Sequence, residues 1–256
     1  MKLSTSITLM FREFDPATRI AEAAKAGFAG VEIQVLEDAP DKLAAAAKES
    51  GISVALINAP MGDFLQGGAG LSGAPGKEAE FEEAFDLTLM AAKTLGCSHL
   101  HVGPSCSTDD TDRDAGLACL KANLVKALQK VEGTGITLLI EPINRKERPT
   151  ALLGSTGEVA EFIAYPALAG IGILYDIYHS VLSDEDPIAM YDQHKDRIAH
   201  IQFSDAPGRT APGGGSIPFA DILSHLKTAG YDGWLGAEYF APADTLSTFG
   251  WMKDFA

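Results

Sequence analysis

The stretch AEAAKAGFAGVEIQ, residues 21–34, contains the unit from which the chain is built. An Ala-rich amphipathic segment runs to a glycine, and a short run of apolar and β-branched residues follows. Glycine in that position is typical of the left-handed residue that ends a helix, and the apolar run is typical of a buried strand. The segment LKTAGYDGWLGAE, residues 226–238, has the same order of features, so both ends of the chain predict the same helix–strand unit.

The unit recurs between these two copies, at residues 48–58, 93–102, 132–141, 165–176 and 195–205. With an N-terminal strand added, the pattern predicts eight strands: Lys2–Ile7, Val31–Gln34, Val54–Asn58, Leu100–Val102, Thr137–Glu141, Ile171–Asp176, Ile198–Phe203 and Leu235–Glu238. Helix-start signals lie between them, at Asp15-Pro16, at the Ser155–Glu158 capping box and at Asp186-Pro187. Near-continuous apolar strands suit a parallel sheet that helices cover.

Eight β–α units in about 250 residues match the size of one closed barrel. The predicted fold is therefore α/β, a single (β/α)8 TIM barrel, with residues 1–256 as one domain. A doubly wound open sheet is the structural alternative, but no G-x-G-x-x-G sequence follows the first strand. Two Gly-rich loops follow strands three and seven, at residues 62–76 and 205–215, and loops of this length in a compact domain are often functional.

Charge and composition narrow the range of partners. The chain has 20 Lys and Arg against 35 Asp and Glu, a net charge of −15, which repels phosphate backbones and anionic lipids. Three cysteines fit a reducing compartment better than a disulfide framework. The N-terminus lacks a signal-peptide pattern, and no window approaches the ~18 apolar residues of a membrane span. We expect a cytoplasmic protein with a small-molecule partner, no nucleic acid and no membrane; homo-oligomerisation is left open.

The ends of the last four strands carry the clearest chemical signal. Glu141, Asp176 and Glu238 end strands five, six and eight, and Gln202 ends strand seven. Side chains at the carboxyl ends of barrel strands converge, and three converging carboxylates need a cation or shared protons. Oxygen donors of this kind favour Mg²⁺ or Mn²⁺, with Co²⁺ as a third option. Glu32, taken alone, is interpreted as a helix cap or a solvated loop residue.

Three further residues are candidates for contacts around that centre. His179 follows Asp176 by three residues, and we expect it to support a ligand or to contact the substrate. Asn58 ends strand three and is a candidate substrate contact. His200 lies two residues before Gln202, so it shares that strand face and is either a barrel-layer residue or a functional one.

Taken together, four motifs resemble the hydroxypyruvate isomerase family of xylose-isomerase-like barrels: GITLLIEPIN (135–144), LYDIYH (174–179), AHIQFSD (199–205) and GWLGAEY (233–239). The resemblance covers nearly the whole chain. It implies a divalent-metal site with Glu141, Asp176, Gln202 and Glu238 as ligands, and it implies that Glu141 and Glu238 are the acid–base pair. The related ketose 3-epimerases have histidine where this chain has Gln202, so the glutamine favours the isomerase branch.

The resemblance also suggests substrate contacts. The family's His-Arg pair after strand seven stands here as Gly208-Arg209, and Arg209 is the first candidate to hold a substrate carboxylate, with Arg145 and Lys146 next. Glu147 matches the substrate-binding glutamate of the epimerases' Asn-Arg-x-Glu sequence. The family's Gly-Glu-Arg-Gly loop reads Gly-Gly-Ala-Gly here, at residues 67–70.

These residues predict a metal-dependent isomerase of a small α-hydroxy carbonyl compound. The model reaction is the conversion of hydroxypyruvate to tartronate semialdehyde, by proton transfer through an enediolate that the metal stabilises. A ketose 3-epimerase acting on a neutral sugar would use the same residues, because only the carbon that receives the proton differs. A non-catalytic ligand-binding barrel is the alternative from a different functional class.

Overall fold

The computed structural model describes residues 1–108 and 112–255, and in this part of the chain eight parallel strands close into a barrel in sequence order. Each strand pairs with the next along the chain, and β8 pairs with β1. The strands are β1 Lys2–Ser6, β2 Gly30–Ile33, β3 Ser53–Asn58, β4 His99–His101, β5 Thr137–Ile140, β6 Ile171–Asp176, β7 Ile198–Phe203 and β8 Trp234–Ala237. The predicted (β/α)8 barrel is confirmed, and the open-sheet alternative is excluded.

Helices follow the strands and cover the outside of the barrel. Those in the described residues are α1 Pro16–Lys25, α2 Pro40–Ser50, α3 Glu78–Leu95, α4 Arg113–Val131, α5 Thr156–Phe162, α6 Ile177–Leu182, α7 Pro187–His194, α8 Phe219–Thr228 and α9 Met252–Phe255. The apolar side chains between strands and helices form one continuous core. None of the described helices is long and apolar enough to cross a membrane.

The helix starts follow the predicted chemistry. Asp15 caps α1 and Asp186 caps α7, each with a proline in the first helical position. Ser155 caps α5 by accepting the Glu158 backbone N–H at 3.2 Å. The Glu158 carboxylate accepts from the Gly154 backbone N–H, so the capping box is displaced by one residue from its predicted form.

The three cysteines are buried free thiols. Cys97 lies before β4 and belongs to the main apolar core, as its position before a buried strand predicts.

Candidate active site

Two layers of side chains fill the barrel axis. Strand residues alternate between the barrel interior and the helix layer, so residues two apart face the same side. The lower layer, which we call the inner ring, consists of Ser4, Glu32, Leu56, His99, Leu139, Leu174, His200 and Gly236. The layer two residues further on, which we call the mouth ring, consists of Ser6, Gln34, Asn58, His101, Glu141, Asp176, Gln202 and Glu238. Every member of the mouth ring is polar and no more than 9% exposed.

Contacts across the axis confirm that the inner ring faces inward. Leu56, Leu139 and Leu174 pack together in a cluster that is separate from the main core. Opposite them, the Glu32 carboxylate accepts hydrogen bonds from Ser4 Oγ at 2.6 Å and from His200 Nε2 at 2.7 Å. The interpretation of Glu32 as a helix cap or a solvated residue is therefore wrong, because its strand position turns the side chain into the barrel.

Glycine at position 236 makes room for this buried carboxylate. A Cβ atom built on Gly236 would lie 1.9 Å from Glu32 Oε1, a separation that no side chain tolerates. Gly236 sits on β8, in register with Ser4 of β1 on one side and Gln202 of β7 on the other. The glycine is therefore required by the close approach of Glu32.

The mouth ring brings together the carboxylates predicted from the strand ends. Glu141 and Asp176 each place an oxygen 3.8 Å from His179 Nε2, and the ligand atoms of these three residues lie within 4.8 Å of one another. Glu238 reaches the same centre, since Arg209 Nη2 contacts both its carboxylate and Asp176 Oδ2, the latter at 3.0 Å. Four of the predicted site residues thus meet at one point.

Burial makes these carboxyl groups stronger bases than they are in water. Burial raises the pKa of Glu238 to about 7 against the opposing effect of Arg209. Burial, and then the charges of Glu238 and Asp176, raise the pKa of Glu141 well above its usual range. Burial also raises the pKa of Asp176. Perturbed carboxylates clustered at a barrel mouth are typical of a catalytic or metal-binding site.

Gln202 lies near the end of β7, the strand between β6 and β8. Its Nε2 donates to Glu32 Oε2 at 2.7 Å, and an ionised carboxylate accepts only, so the carboxamide orientation is fixed. Gln202 Oε1 is then directed away from Glu32, and it is buried with no hydrogen-bond partner in the described residues. Glu141 Oε1 is also buried with no hydrogen-bond partner in the described residues. Unpartnered buried oxygens among carboxylates are donors that suit a hard divalent cation, and the buried group of Glu141, Asp176 and His179 could hold a metal ion.

Hydrogen bonds hold His179 with a defined nitrogen toward the centre. Its Nδ1 accepts from the Asn144 side chain at 2.7 Å and from the Asn144 backbone N–H at 3.3 Å. The Asn144 amide is itself fixed, because its oxygen accepts the Glu147 backbone N–H. Burial, with Arg209 nearby, lowers the pKa of His179 well below its usual range, so the ring is neutral. Asn144 occupies Nδ1, and Nε2 lies toward the centre with Arg209 Nη1 3.3 Å away.

Arg209 lies over the carboxylates on a loop that is strongly constrained. Its backbone φ of 53° is left-handed, a conformation that side chains other than glycine adopt rarely. The Asp205 carboxylate holds this loop by accepting four backbone N–H groups, those of Ala206, Gly213, Gly215 and Ile217, at 2.9–3.0 Å. The predicted functional loop at residues 205–215 thus places a guanidinium against Asp176 and Glu238.

The other predicted residues lie at or outside the edge of this centre. Glu147 is an exposed residue that accepts hydrogen bonds from Tyr178 Oη and the Asn144 amide. Asn58 lies in the mouth ring on β3, and its Oδ1 has no partner in the described residues. Arg145 pairs with Glu158, and Lys146 pairs with Asp184, so the structure does not bring these two cations to the centre.

Sequence reasoning assigned no role to two polar side chains in the β1–β4 half of the barrel. Gln34 and His101 belong to the mouth ring, and burial lowers the pKa of His101 to about 3, which keeps it neutral. His101 Nε2 lies 3.7 Å from Glu141 Oε2. The signal that finds them is the period of two in a strand. Gln34 lies two residues after Glu32, and His101 lies two residues after His99.

Comparison with known proteins agrees with this geometry. The 2-oxo-tetronate isomerase of Cupriavidus necator is 31% identical over 255 residues, covering 99% of this chain and 98% of that protein. The hydroxypyruvate isomerase of Escherichia coli is 28% identical over 256 residues, covering 100% and 99%. The crystal structure of an AP endonuclease, family 2, from Brucella melitensis superposes with a TM-score of 0.92 at 29% identity, covering 99% of this chain and 98% of that chain.

The expected resemblance to hydroxypyruvate isomerases is therefore confirmed, and so is the expectation of an isomerase. A family model described as xylose isomerase-like TIM barrel matches residues 20–255, which is most of the chain. The chain belongs to the xylose isomerase-like TIM barrel family.

Proposed function

We propose that this chain is a divalent-metal-dependent isomerase of a small α-hydroxy keto acid, of the kind represented by hydroxypyruvate and 2-oxo-tetronate. One observation carries the proposal: Glu141 and Glu238, both buried and both with a raised pKa, meet at a centre that also holds Asp176 and the unpartnered Gln202 oxygen. The isomerase names of the relatives support the substrate class.

The proposed metal ligands are Glu141, Asp176, Gln202 and Glu238. All of them offer oxygen, which suits Mg²⁺ or Mn²⁺, with Co²⁺ also admissible. A cation held there would supply electrostatic stabilisation for the negative charge that develops on the substrate. His179 is kept as a substrate contact, because Asn144 occupies its Nδ1 and Arg209 Nη1 lies 3.3 Å from its Nε2.

Proton transfer falls to the two glutamates. One carboxylate removes the proton from the carbon that bears the hydroxyl group, and the same or the opposite carboxyl group delivers a proton to the neighbouring carbonyl carbon. In the same rearrangement the proton of the hydroxyl oxygen passes to the carbonyl oxygen. The hydroxyl carbon becomes a carbonyl and the carbonyl carbon becomes an alcohol, so the reaction needs no external oxidant. Burial that raises the pKa of both groups brings their basicity closer to that of the carbon acid.

Four residues are proposed to position the substrate. Arg209 is the guanidinium at the mouth and is our candidate partner for the substrate carboxylate. His179 Nε2 would contact a substrate oxygen or hydroxyl group. Asn58 would contact a substrate hydroxyl group from the mouth ring. Glu147 would contact one from the exposed edge of the site.

Turnover after metal removal and restoration tests the proposal. The protein is stripped with a chelator, reloaded with Mg²⁺, Mn²⁺ or Co²⁺, and incubated with hydroxypyruvate, 2-oxo-tetronate and neutral ketoses in D₂O. We expect metal-dependent isomerisation of a keto acid, seen by NMR with deuterium at the receiving carbon. Activity confined to neutral ketoses, with inversion at the carbon beside the carbonyl, would make the chain an epimerase. Metal binding without turnover of any substrate would make it a ligand-binding barrel.

A further inference from the structure

The mouth ring is divided into two chemically different halves. On β5–β8 it consists of Glu141, Asp176, Gln202 and Glu238, the proposed metal ligands. On β1–β4 it consists of Ser6, Gln34, Asn58 and His101, which are a hydroxyl, two amides and an imidazole with no carboxylate among them. We call these four residues the neutral arc. The proposed reaction uses the β5–β8 half of the ring. Apart from Asn58, it gives no role to the neutral arc.

Ser6 fixes the orientation of Gln34. The Ser6 hydroxyl donates to Gln34 Oε1 at 2.5 Å, and Ser6 Oγ also accepts the Leu9 backbone N–H at 3.1 Å. Gln34 Nε2 is then left with two N–H groups, buried and without a partner in the described residues. A buried N–H group without an acceptor costs free energy of folding unless a ligand or a water molecule accepts its hydrogen bond.

Two neighbours of Gln34 have unsatisfied atoms as well. Asn58 Oδ1 and both ring nitrogens of His101 are buried without a hydrogen-bond partner in the part of the chain that the structure describes. Asn58 and His101 are in register on adjacent strands, and Gln34 follows Ile33, which is in register with Ile57 of the same β3 strand. Three consecutive strands therefore present donors and acceptors side by side.

This arrangement of donors and acceptors selects a class of ligand. A hydroxyl group donates one hydrogen bond and accepts others, so it can satisfy the Asn58 oxygen and the Gln34 or His101 N–H groups together. A carboxylate accepts only, so it could pair with the Gln34 N–H groups but would leave the Asn58 oxygen without a donor. The carboxylate of a keto acid is better placed on the side of Arg209.

The neutral arc lies next to the carboxylates that are proposed to transfer protons. His101 Nε2 lies 3.7 Å from Glu141 Oε2, so a substrate whose reacting carbons lie between Glu141 and Glu238 has the neutral arc directly beside it. Hydroxypyruvate has no carbon beyond its reacting hydroxymethyl group, so nothing of that substrate would extend there. A substrate one hydroxylated carbon longer would reach the arc.

We infer that Gln34, Asn58 and His101 form a hydroxyl-binding subsite that makes the chain prefer a four-carbon hydroxylated keto acid over a three-carbon one. This inference rests on the proposed isomerase function and deepens it by naming the substrate class. A site built to bind a hydroxyl rejects the analogue that lacks it, because its own polar atoms are then left unpaired.

Equilibrium binding of non-reacting acids tests the subsite separately from catalysis. Calorimetry on the Mg²⁺-loaded protein compares a four-carbon trihydroxy acid, erythronate or threonate, with the three-carbon glycerate. We expect the four-carbon acid to bind roughly tenfold or more tightly, which is typical of one buried hydrogen-bonded group. Gln34→Met and Asn58→Leu should each remove most of this preference, and Gln34→Met should leave glycerate affinity within about twofold.

A matched control and a kinetic measurement complete the test. Gln129→Met makes the same chemical change on the exposed side of α4 and should alter neither affinity. In turnover, the ratio of kcat/KM for 2-oxo-tetronate over that for hydroxypyruvate should fall in the two arc variants. Equal binding of the two acids by the unmodified protein, or equal weakening of both by the variants, would overturn the inference. If the binding preference is present and no keto acid is turned over, the subsite stands and the proposed isomerase activity fails.

Discussion

Glu32 carries a formal charge at the bottom of the barrel mouth, where no solvent reaches it. Burial alone would raise the pKa of Glu32, but His200, Ser4 and Gln202 hold it below its usual range. The paired carboxylate fixes Gln202 so that its oxygen faces the mouth. At the scale of single residues, then, the position of one proposed ligand atom depends on a residue that would not touch the metal.

Replacing Glu32 should therefore weaken metal binding. In Glu32→Gln the charged acceptor for Gln202 is lost, and the carboxamide is free to rotate. We expect the affinity for Mn²⁺ to fall by about 10- to 100-fold, as is typical when a group that orients a ligand is changed. Titration followed by electron paramagnetic resonance of free Mn²⁺ measures it. Glu49→Gln, on an exposed position of α2, is the control, and unchanged affinity in a folded Glu32→Gln protein would refute the prediction.

The acid–base roles of Glu141 and Glu238 are tested by the amide variants. Glu141→Gln and Glu238→Gln retain an oxygen but cannot take a proton, so we expect kcat to fall by about 10²- to 10⁴-fold. The measurement is kcat at saturating Mn²⁺, with metal content determined for each preparation. Glu161→Gln, exposed on α5, should keep normal turnover. Full activity in either site variant would exclude that residue as an essential acid or base.

At the scale of elements, the loop between β7 and α8 holds Arg209 over the site. Four backbone N–H groups converge on the Asp205 carboxylate, and an antiparallel bridge joins Asp205 to Thr210. The Phe240 backbone N–H donates to the Arg209 carbonyl, so the segment after β8 is attached to the same loop. The fold of this loop therefore determines where the guanidinium lies.

Asp205→Asn should loosen the loop without touching the carboxylate cluster. The asparagine amide would place N–H groups against backbone N–H groups, which costs about 2 kcal/mol of unfolding free energy. We expect faster proteolysis within residues 205–217 and a higher KM for keto acids, with kcat changed less than KM. Asp221→Asn, on the exposed surface of α8, is the matched control. A stable, protease-resistant Asp205→Asn protein with unchanged KM would show that the loop does not depend on this carboxylate.

At the scale of the whole molecule, a strongly acidic chain concentrates three buried carboxylates at one end of its barrel. The net charge is −15, and Glu141, Asp176 and Glu238 all have a raised pKa in the folded protein. Charges of one sign that are buried together oppose folding unless protons or a cation offset them. The stability of the molecule should therefore respond to pH and to metal at this site.

The sign of the pH effect follows from Glu238. Its pKa rises from 4.5 to about 7 on folding, so the folded state binds more protons in that interval and stability falls as pH rises through it. In chelator-treated protein we expect this group to reduce the unfolding free energy by on the order of 3 kcal/mol between pH 5 and pH 8. Urea unfolding of the chelator-treated protein and of Glu238→Gln at both pH values isolates the contribution.

A bound metal ion should offset the fall in unfolding free energy at high pH. Added Mn²⁺ binds the ionised carboxylates of the folded state only, so it should restore stability at pH 8 and have little effect at pH 5. Identical pH dependence in Glu238→Gln and the unmodified protein, or no stabilisation by Mn²⁺ at pH 8, would contradict this account of the site.

The sequence by itself determined the barrel and half of its mouth. Short apolar runs, most of them preceded by a glycine, locate all eight strands to within a residue or two, because helix ends and buried strands are local features of the chain. The carboxylates at the ends of β5, β6 and β8 are visible for the same reason. Closure of the barrel in chain order then brings them together without further information.

Only the tertiary structure decided how individual side chains are used. Nothing near Glu32 in the sequence shows that it pairs with His200 and Gln202, which are 168 and 170 residues away. Arg209 and Arg145 are both candidate cations in the sequence, but Glu158 pairs with Arg145, whereas the Asp205 loop places Arg209 against the mouth carboxylates. Which side chains pair with each other, and which polar atoms stay without a hydrogen-bond partner, depends on contacts between distant segments. Those contacts exist only once the barrel has closed.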